Sequence, residues 1–278
     1  RNVNDVIALD RAALRNPSAT GPELFRLLHR LRAGKFSLVV DFQGYGETAW
    51  LSWWSGAPER WGSVYGAGRE WLYTRGITRN ERIHHADWHL SLLRQCGLRA
   101  GEIQNEFVLP VEALAEARKL FMENNLDPAK STLFLQPFTS TPFKSWPLEN
   151  FLALARHFHS RGVQIIFGGG PADRAALEPA RTAGFAVSAG APLLVSAGLV
   201  KLSTLTIGGV TGLLHLAVAM QKRVVMLIGP ASEPGFPYQH RNWGMTPAVG
   251  HNVADIQVSA VIDACSKALN ESAGNASC

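Results

Sequence analysis

Residues 202–228 read LSTLTIGGVTGLLHLAVAMQKRVVMLI. Residues 202–221 carry no formal charge and have the length of a membrane-spanning helix. Their internal pattern argues against a span. Leu205-Thr206-Ile207 is a short β-type run, Gly208-Gly209 breaks it, and a helical run starts at Thr211. Residues 224–228 (VVMLI) form a further apolar strand. The stretch therefore reads as buried strand, turn, buried helix and buried strand, which is the repeating unit of a parallel sheet covered on both faces.

The same alternation extends outward. Residues 133–135 (LFL) are a strand ended by Pro137, and a helix follows with Pro147 in its first turn. Leu148, Phe151, Leu152, Leu154 and Ala155 make its apolar stripe, and Gly162 closes it. Residues 163–167 (VQIIF) are the next strand, followed by the Gly168-Gly169-Gly170-Pro171 turn and a helix near 172–182. A strand at 185–187, a helix at 192–200 and a last helix at 255–269 complete the α/β pattern. In such sheets ligands bind at the carboxyl ends of the strands. The loops at 137–146, 168–172, 208–212 and 229–240 are thus the candidates.

The first half is less regular. It offers helices at 23–33, 47–55, 86–96 and 111–124, but only one clear strand, 36–41 (FSLVVD). A parallel sheet needs more than one strand, so this half is expected to lack its opening strands. Asn124-Asn125-Leu126-Asp127-Pro128 reads as a hinge, which divides the chain into domains 1–126 and 127–278.

Composition sets the outer bounds. The 278 residues suit two domains, and 46% hydrophobic with 18% charged residues excludes disorder. The net charge of +5 is spread evenly, +2 over residues 1–130 and +3 over the rest. Without a basic arm, the diffuse excess suits an anionic small substrate or a membrane surface as well as a polynucleotide, with nucleic acid the most distant of the three readings. Cys96, Cys265 and Cys278 lie too far apart for a disulfide framework or a zinc site, which fits a reducing compartment. Residues 1–20 contain no secretory signal, and a chain opening on Arg1 is expected to be part of a longer product.

Two loops carry most of the chemistry. In 137–147 (PFTSTPFKSWP), Thr139, Ser140, Thr141 and Lys144 stand before a helix start. Hydroxyls, free helix N–H groups and an ammonium make an anion site suited to a diphosphate. The plainer alternative is a polar surface loop whose Ser145 caps the helix. In 208–217 (GGVTGLLHLA), small residues let backbone approach a ligand, and His215 can reach a phosphate or a ribose hydroxyl or can bond a core carbonyl. The Gly168–Gly170 turn fails the G-x-G-x-x-G pattern, because its last position is Asp173, which is either a ribose acceptor or a helix cap.

In the first half, Asp41 closes a strand ahead of Gln43 and Gly44, as either a polar contact for a ligand or a capping carboxylate. Six of the eight tryptophans (Trp50, Trp53, Trp54, Trp61, Trp71 and Trp88) fall here. They suit a sugar platform, although helical spacing assigns at least half to the core. His84, His85 and His89 have metal-like spacing without an acidic or cysteine partner, so no metal site is assigned.

These segments resemble glycosyltransferase family 9, the ADP-heptose:lipopolysaccharide heptosyltransferases. The resemblance rests on FSLVVDFQGYGETAWLSWWSGAPERWG at 36–62, LFLQPFTSTPFKSWPLENF at 133–151, VQIIFGGGP at 163–171 and, above all, TGLLHLAVAMQKRVVMLIGP at 211–230. It implies a GT-B fold, two Rossmann-like domains facing across a cleft, with the N-terminal one incomplete. It also implies inverting sugar transfer without a metal or a cofactor, from an ADP-sugar donor to a lipid-linked saccharide acceptor. A cytoplasmic protein in peripheral contact with the inner membrane would follow. Carried over by motif, Lys144 is the catalytic cation that neutralises the donor diphosphate, with Thr139, Ser140 and Thr141 beside it. Thr211, Gly212, Leu213 and His215 form the donor-binding helix start. Asp41, Gln43 and Gly44 lie on the acceptor side.

The chain departs from the family pattern in three places. It contains no opening strand with a Gly-Asp loop, Val210 replaces the aspartate before Thr-Gly, and Glu47 replaces a basic residue after the Gln-Gly loop. A non-catalytic nucleotide-sugar binder and a sugar-nucleotide epimerase are the alternative readings.

Overall fold

The computed structural model describes residues 3–9, 17–65, 68–99, 101–229 and 234–275. The chain divides into two compact units, Arg1–Gly101 and Glu102–Cys278.

The first unit holds helix α1 (Pro17–Ala33), strand β1 (Leu38–Asp41), helix α2 (Gly46–Trp54), strands β2 (Glu59–Val64) and β3 (Arg75–Thr78), and helix α3 (His85–Gln95). The strands form a parallel sheet in the order β1-β2-β3. Two of the three escape the sequence pattern. β2 reads ERWGSV and β3 reads RGIT, so neither shows an apolar run. What admits β2 to the sheet is packing. Gly62 has no side chain, and the Tyr73 ring fills the place where a Cβ would project. Trp61 is buried with Trp88 and Leu92 of α3.

The second unit is a six-stranded, wholly parallel sheet in the order β6-β5-β4-β7-β8-β9. Its strands are β4 (Thr132–Gln136), β5 (Gln164–Gly169), β6 (Ala186–Ala189), β7 (Leu205–Gly209), β8 (Val224–Leu227) and β9 (Gly244–Met245). The intervening helices are α4 (Val111–Glu123), α5 (Leu148–His159), α6 (Glu178–Thr182), α7 (Leu193–Leu202), α8 (Gly212–Ala219) and α9 (Val258–Asn275). Successive residues of each strand enter opposite cores. Leu133, Leu135, Ile165, Phe167, Leu205 and Ile207 face one, with α5 and α9; Phe134, Ile166, Val224 and Met226 face the other, with α4, α7 and α8. That double burial is why the strands read as unbroken apolar runs. Among the described residues no helix is long and apolar enough to cross a membrane, and 202–221 is strand, turn and helix as its pattern predicts.

Three expectations are corrected. The unit boundary lies at 101–102 and not at 126–127. Phe107 N–H donates to the Ala219 carbonyl at 2.9 Å, and Gln221 Nε2 to the Asn105 carbonyl at 3.0 Å, so 102–110 is tied to the second unit. α4 lies against α7, with Ala117 filling the space that Gly198 leaves. The supposed hinge is a helix stop. Asn125 adopts φ 56°, its N–H bonds the Met122 carbonyl, and Leu126 N–H bonds the Phe121 carbonyl, with Phe121 and Leu126 in one core cluster. Second, the helix expected at 172–182 is a turn at Pro171–Asp173 followed by the short α6. Third, Pro147 stands at the N-cap of α5 and not inside its first turn.

Candidate functional site

The strand order of the second unit reverses direction between β4 and β7, its first and fourth strands in sequence. At such a switch point the connections after the two central strands diverge, and a crevice opens at their carboxyl ends. The two strands are in register there, Gln136 opposite Gly208. The loop after β4 carries Thr139 to Lys144, and the turn after β7 leads into α8. The topology therefore brings both candidate loops to one place.

Their contact is direct. A Cβ on Gly209 would stand 2.6 Å from the Lys144 carbonyl oxygen and 2.8 Å from Thr139 Cγ2. Only glycine lets the Lys144 loop rest on the end of β7. The loop is held in shape from within. Ser145 Oγ accepts from Thr139 N–H at 3.1 Å, Thr139 Oγ1 donates to the Thr141 carbonyl at 2.7 Å, and Lys144 N–H donates to the same carbonyl at 3.0 Å. Trp146 anchors the far end, buried against Phe151 and donating from Nε1 to the Ile256 carbonyl at 2.8 Å. Ser145 is thus a loop clasp and not the cap of α5. The Thr139 hydroxyl is used inside the loop, whereas Ser140 is exposed.

Two groups in this loop remain available. The Thr141 hydroxyl is buried and has no hydrogen-bond partner among the described residues. Lys144 is half-buried, its ammonium 5.7 Å from the Phe143 ring centroid, and it pairs with no carboxylate among the described residues. An unneutralised cation beside an unpaired buried hydroxyl is the chemistry of an unfilled anion site.

Across the loop, Thr211 is the N-cap of α8, with Oγ1 accepting from Leu214 N–H at 3.4 Å. The first intrahelical bond runs from His215 N–H to the Thr211 carbonyl, so the Gly212 and Leu213 N–H groups precede the helical ladder. The Leu213 side chain is in the core, so this residue offers backbone only; Gly212 is exposed and His215 half-buried. Val210, where the family pattern has aspartate, belongs to the apolar cluster with Phe236. At this position packing replaces a hydrogen-bonding group.

Sequence reasoning missed a third part of this sheet edge. A cavity of about 350 Å³ opens beyond β6, lined by Arg174, Ser188, Gly190 and Ala191 with residues of α4. Gly190 has φ 91°, Arg174 Nε donates to the Ala189 carbonyl at 3.2 Å, and Asp173 Oδ2 accepts from Gly170 N–H at 2.7 Å. Asp173 therefore serves the turn as a cap. A glycine after a strand end and an arginine in the next turn were the only signals available.

In the first unit, Asp41 is buried and holds the following loop. Oδ1 accepts from Gln43 N–H at 3.0 Å and Gly44 N–H at 2.9 Å, and Oδ2 accepts from the Tyr73 hydroxyl at 2.7 Å. Burial, then the Asp41 carboxyl, push the Tyr73 phenol well above its usual value. Gly44 has φ 71°, and a Cβ there would collide with the Ser63 carbonyl. Asp41 is a positioning residue, Gln43 is exposed and Gly44 is buried. The three histidines do separate jobs. His84 Nδ1 accepts from Ala86 N–H at the start of α3, His85 Nδ1 lies 2.6 Å from Arg79 Nη2, and His89 packs on Phe42. Cys96 and Cys265 are buried free thiols, and burial pushes the Cys265 thiol up to about 12. Cys278 lies outside the described residues.

Residues 24–262 match the sequence profile of glycosyltransferase family 9 (heptosyltransferase). The chain belongs to glycosyltransferase family 9. This family 9 chain is 28% identical over 219 residues to lipopolysaccharide heptosyltransferase 1 of Pseudomonas aeruginosa, a match covering 76% of the chain and 59% of that protein. It thus spans about three-fifths of the length of that curated relative. Among solved structures, a family 9 glycosyl transferase from Veillonella parvula superposes with a TM-score of 0.79 at 20% identity, over 92% of this chain and 80% of that one. ADP-heptose lipopolysaccharide heptosyltransferase II of Escherichia coli gives 0.72 at 20% identity, over 91% and 82%. An Escherichia coli heptosyltransferase solved with ADP gives 0.70 at 19% identity, over 95% and 84%. The shared fold is of the GT-B type.

Proposed function

We propose that this protein transfers a heptose or related sugar from a nucleotide-diphosphate donor to a lipid-linked saccharide of the lipopolysaccharide-core type. The observation that carries the reading is the seating of the Lys144 loop on Gly209, two residues before Thr211, the N-cap of α8. A donor diphosphate placed at this switch point meets an ammonium, the Thr141 hydroxyl and two backbone N–H groups. The nucleoside extends along the sheet edge toward the Arg174 and Gly190 cavity. ADP is the favoured nucleotide, since one structural relative was solved with it.

The chemistry is a displacement with inversion. The acceptor hydroxyl oxygen attacks the anomeric carbon, the bond from that carbon to the phosphate oxygen breaks, and a base takes the hydroxyl proton. The pair of electrons leaves with the nucleoside diphosphate. Growing negative charge on the leaving group is met by Lys144 and the start of α8, so the step proceeds without a metal ion. The protein acts in the cytoplasm, at the inner face of the membrane that holds the acceptor.

Released ADP, measured with ADP-heptose in the presence and absence of a core acceptor, tests this reading. Release that requires the acceptor supports transfer. Acceptor-independent conversion of the donor identifies an epimerase or hydrolase, and binding without turnover identifies a non-catalytic binder.

Thr141 offers a separate check. Thr141→Val removes a buried hydroxyl that bonds nothing among the described residues, so the melting temperature holds or rises. Calorimetry should show ADP affinity falling by about tenfold, the effect of one lost hydrogen bond to a charged ligand. A loss of stability with unchanged affinity would place Thr141 in the fold and not in the site.

A further inference from the structure

The sequence assigned at least half of the first-unit tryptophans to the core. Among the six, only Trp61 and Trp88 are buried. Trp50, Trp53, Trp54 and Trp71 are 46%, 40%, 43% and 59% exposed. On α2 the first three occupy positions i, i+3 and i+4, one stripe of the helix. They meet edge to face: Trp50 and Trp71 have centroids 5.6 Å apart at 84°, Trp50 and Trp53 5.8 Å at 87°, and Trp53 and Trp54 5.7 Å at 88°. Monomeric surfaces rarely carry a contiguous aromatic patch of this kind without a partner.

One cation of α1 reaches the end of the tryptophan helix. Arg32 Nε donates to the Trp54 carbonyl at 3.2 Å. Phe25, 71% exposed, lies two turns back on the same stripe and stacks on His29. Residues 24–35 (LFRLLHRLRAGK) hold Arg26, Arg30, Arg32 and Lys35 and no acidic residue. Two of these cations have exposed ion pairs, Arg26 with Glu23 and Arg30 with Asp5. The acidic residues in and beside the tryptophan segments are Glu47 and Glu70, the latter preceded by Arg69.

We propose that this face, Trp50, Trp53, Trp54 and Trp71 with the adjoining Arg32, docks the protein on an anionic phospholipid bilayer. Indoles favour the headgroup boundary, where the ring is half apolar and the N–H is wet, and adjoining arginines and lysines meet the negative surface. A saccharide platform needs a flat indole face rimmed by hydrogen-bonding side chains. Four rings nearly perpendicular to their neighbours form a wedge instead, and the charge alongside it is positive. The docking deepens the transfer reading, because a lipid-linked acceptor resides in such a surface.

Co-sedimentation with vesicles of phosphatidylcholine, alone or mixed with phosphatidylglycerol, tests it with neither donor nor acceptor present. Failure here therefore leaves acceptor-dependent ADP release unaffected. Binding to the mixed vesicles should be at least about tenfold tighter, with a blue-shifted tryptophan emission and quenching by brominated lipid. The triple replacement Trp50→Ser, Trp53→Ser, Trp54→Ser should abolish the binding with an unchanged far-ultraviolet spectrum. Arg26→Glu with Lys35→Glu, which leaves every indole in place, should remove the preference for the anionic lipid. Equal binding to both vesicles, an unshifted emission, or a triple variant that binds like the parent would overturn the proposal. So would a dimer in solution that the triple replacement dissociates, since the face would then be covered by a second copy.

Discussion

Replacing Lys144 with alanine is expected to lower kcat/KM for sugar transfer by about two to three orders of magnitude, the usual effect of deleting one preorganised charge-stabilising donor. The ammonium is half-buried, has no carboxylate partner among the described residues, and stands on a loop fixed by Ser145, Trp146 and Gly209. It is thus in place before the leaving group becomes charged. Lys144→Arg should recover part of the loss, because charge is restored while geometry differs. Asp173→Ala is the control. Its carboxylate caps the Gly170 turn, so stability should fall by about 1 kcal/mol with turnover nearly intact. Steady-state kinetics of the two variants decide the matter, and equal losses would remove Lys144 from the chemistry.

Asp41→Ala is expected to produce the largest change in stability, a loss of about 3–4 kcal/mol localised in the first unit. Three donors lose their acceptor together: the Gln43 and Gly44 N–H groups and the buried Tyr73 hydroxyl. Each buried donor left unpaired costs about 1–3 kcal/mol, and water can reach the exposed Gln43 side of the loop to recover some of it. Asp41→Asn keeps one carbonyl acceptor for the two N–H groups and should lose about half as much. Amide exchange at Gln43 and Gly44 reports the local effect, and denaturant unfolding of the first unit the total. Near-parent protection at both amides would show that the loop is held by something else.

Where burial on both faces dictates sequence, the sequence could be read. Every strand of the second unit except β9 was legible, because the central residues of β4, β5, β7 and β8 alternate between two apolar cores and read as short apolar runs. β2 and β3 follow a different logic. Gly62 and Ser63 in β2 exist to receive Tyr73 and the Trp88 N–H, which are tertiary demands that leave no local period. Asn124-Asn125 looked like a hinge because the same residue types stop helices and open linkers; only the bond from Leu126 N–H to the Phe121 carbonyl separates the two. In the candidate site, Lys144 and Thr211 were legible from chemistry and position. The internal use of Thr139 and Ser145 was not, since a hydroxyl's partner is a matter of three-dimensional distance. Helical spacing misled in α2, where an i, i+3, i+4 apolar stripe looks alike whether it faces a core or solvent.

The attachment of residues 102–126 to the second sheet bears on how the molecule can be dissected. A cut at the Asn-Asn pair would tear α4 from α7, baring Gly198 in a fragment meant to be self-sufficient and stranding Ala117 and Phe121 on the other piece. Severing the polypeptide just before Glu102 instead keeps the Phe107 and Asn105 backbone bonds and leaves that surface sealed. The place to divide the chain is therefore the 101–102 boundary, some two dozen positions upstream of where the composition alone would draw the line.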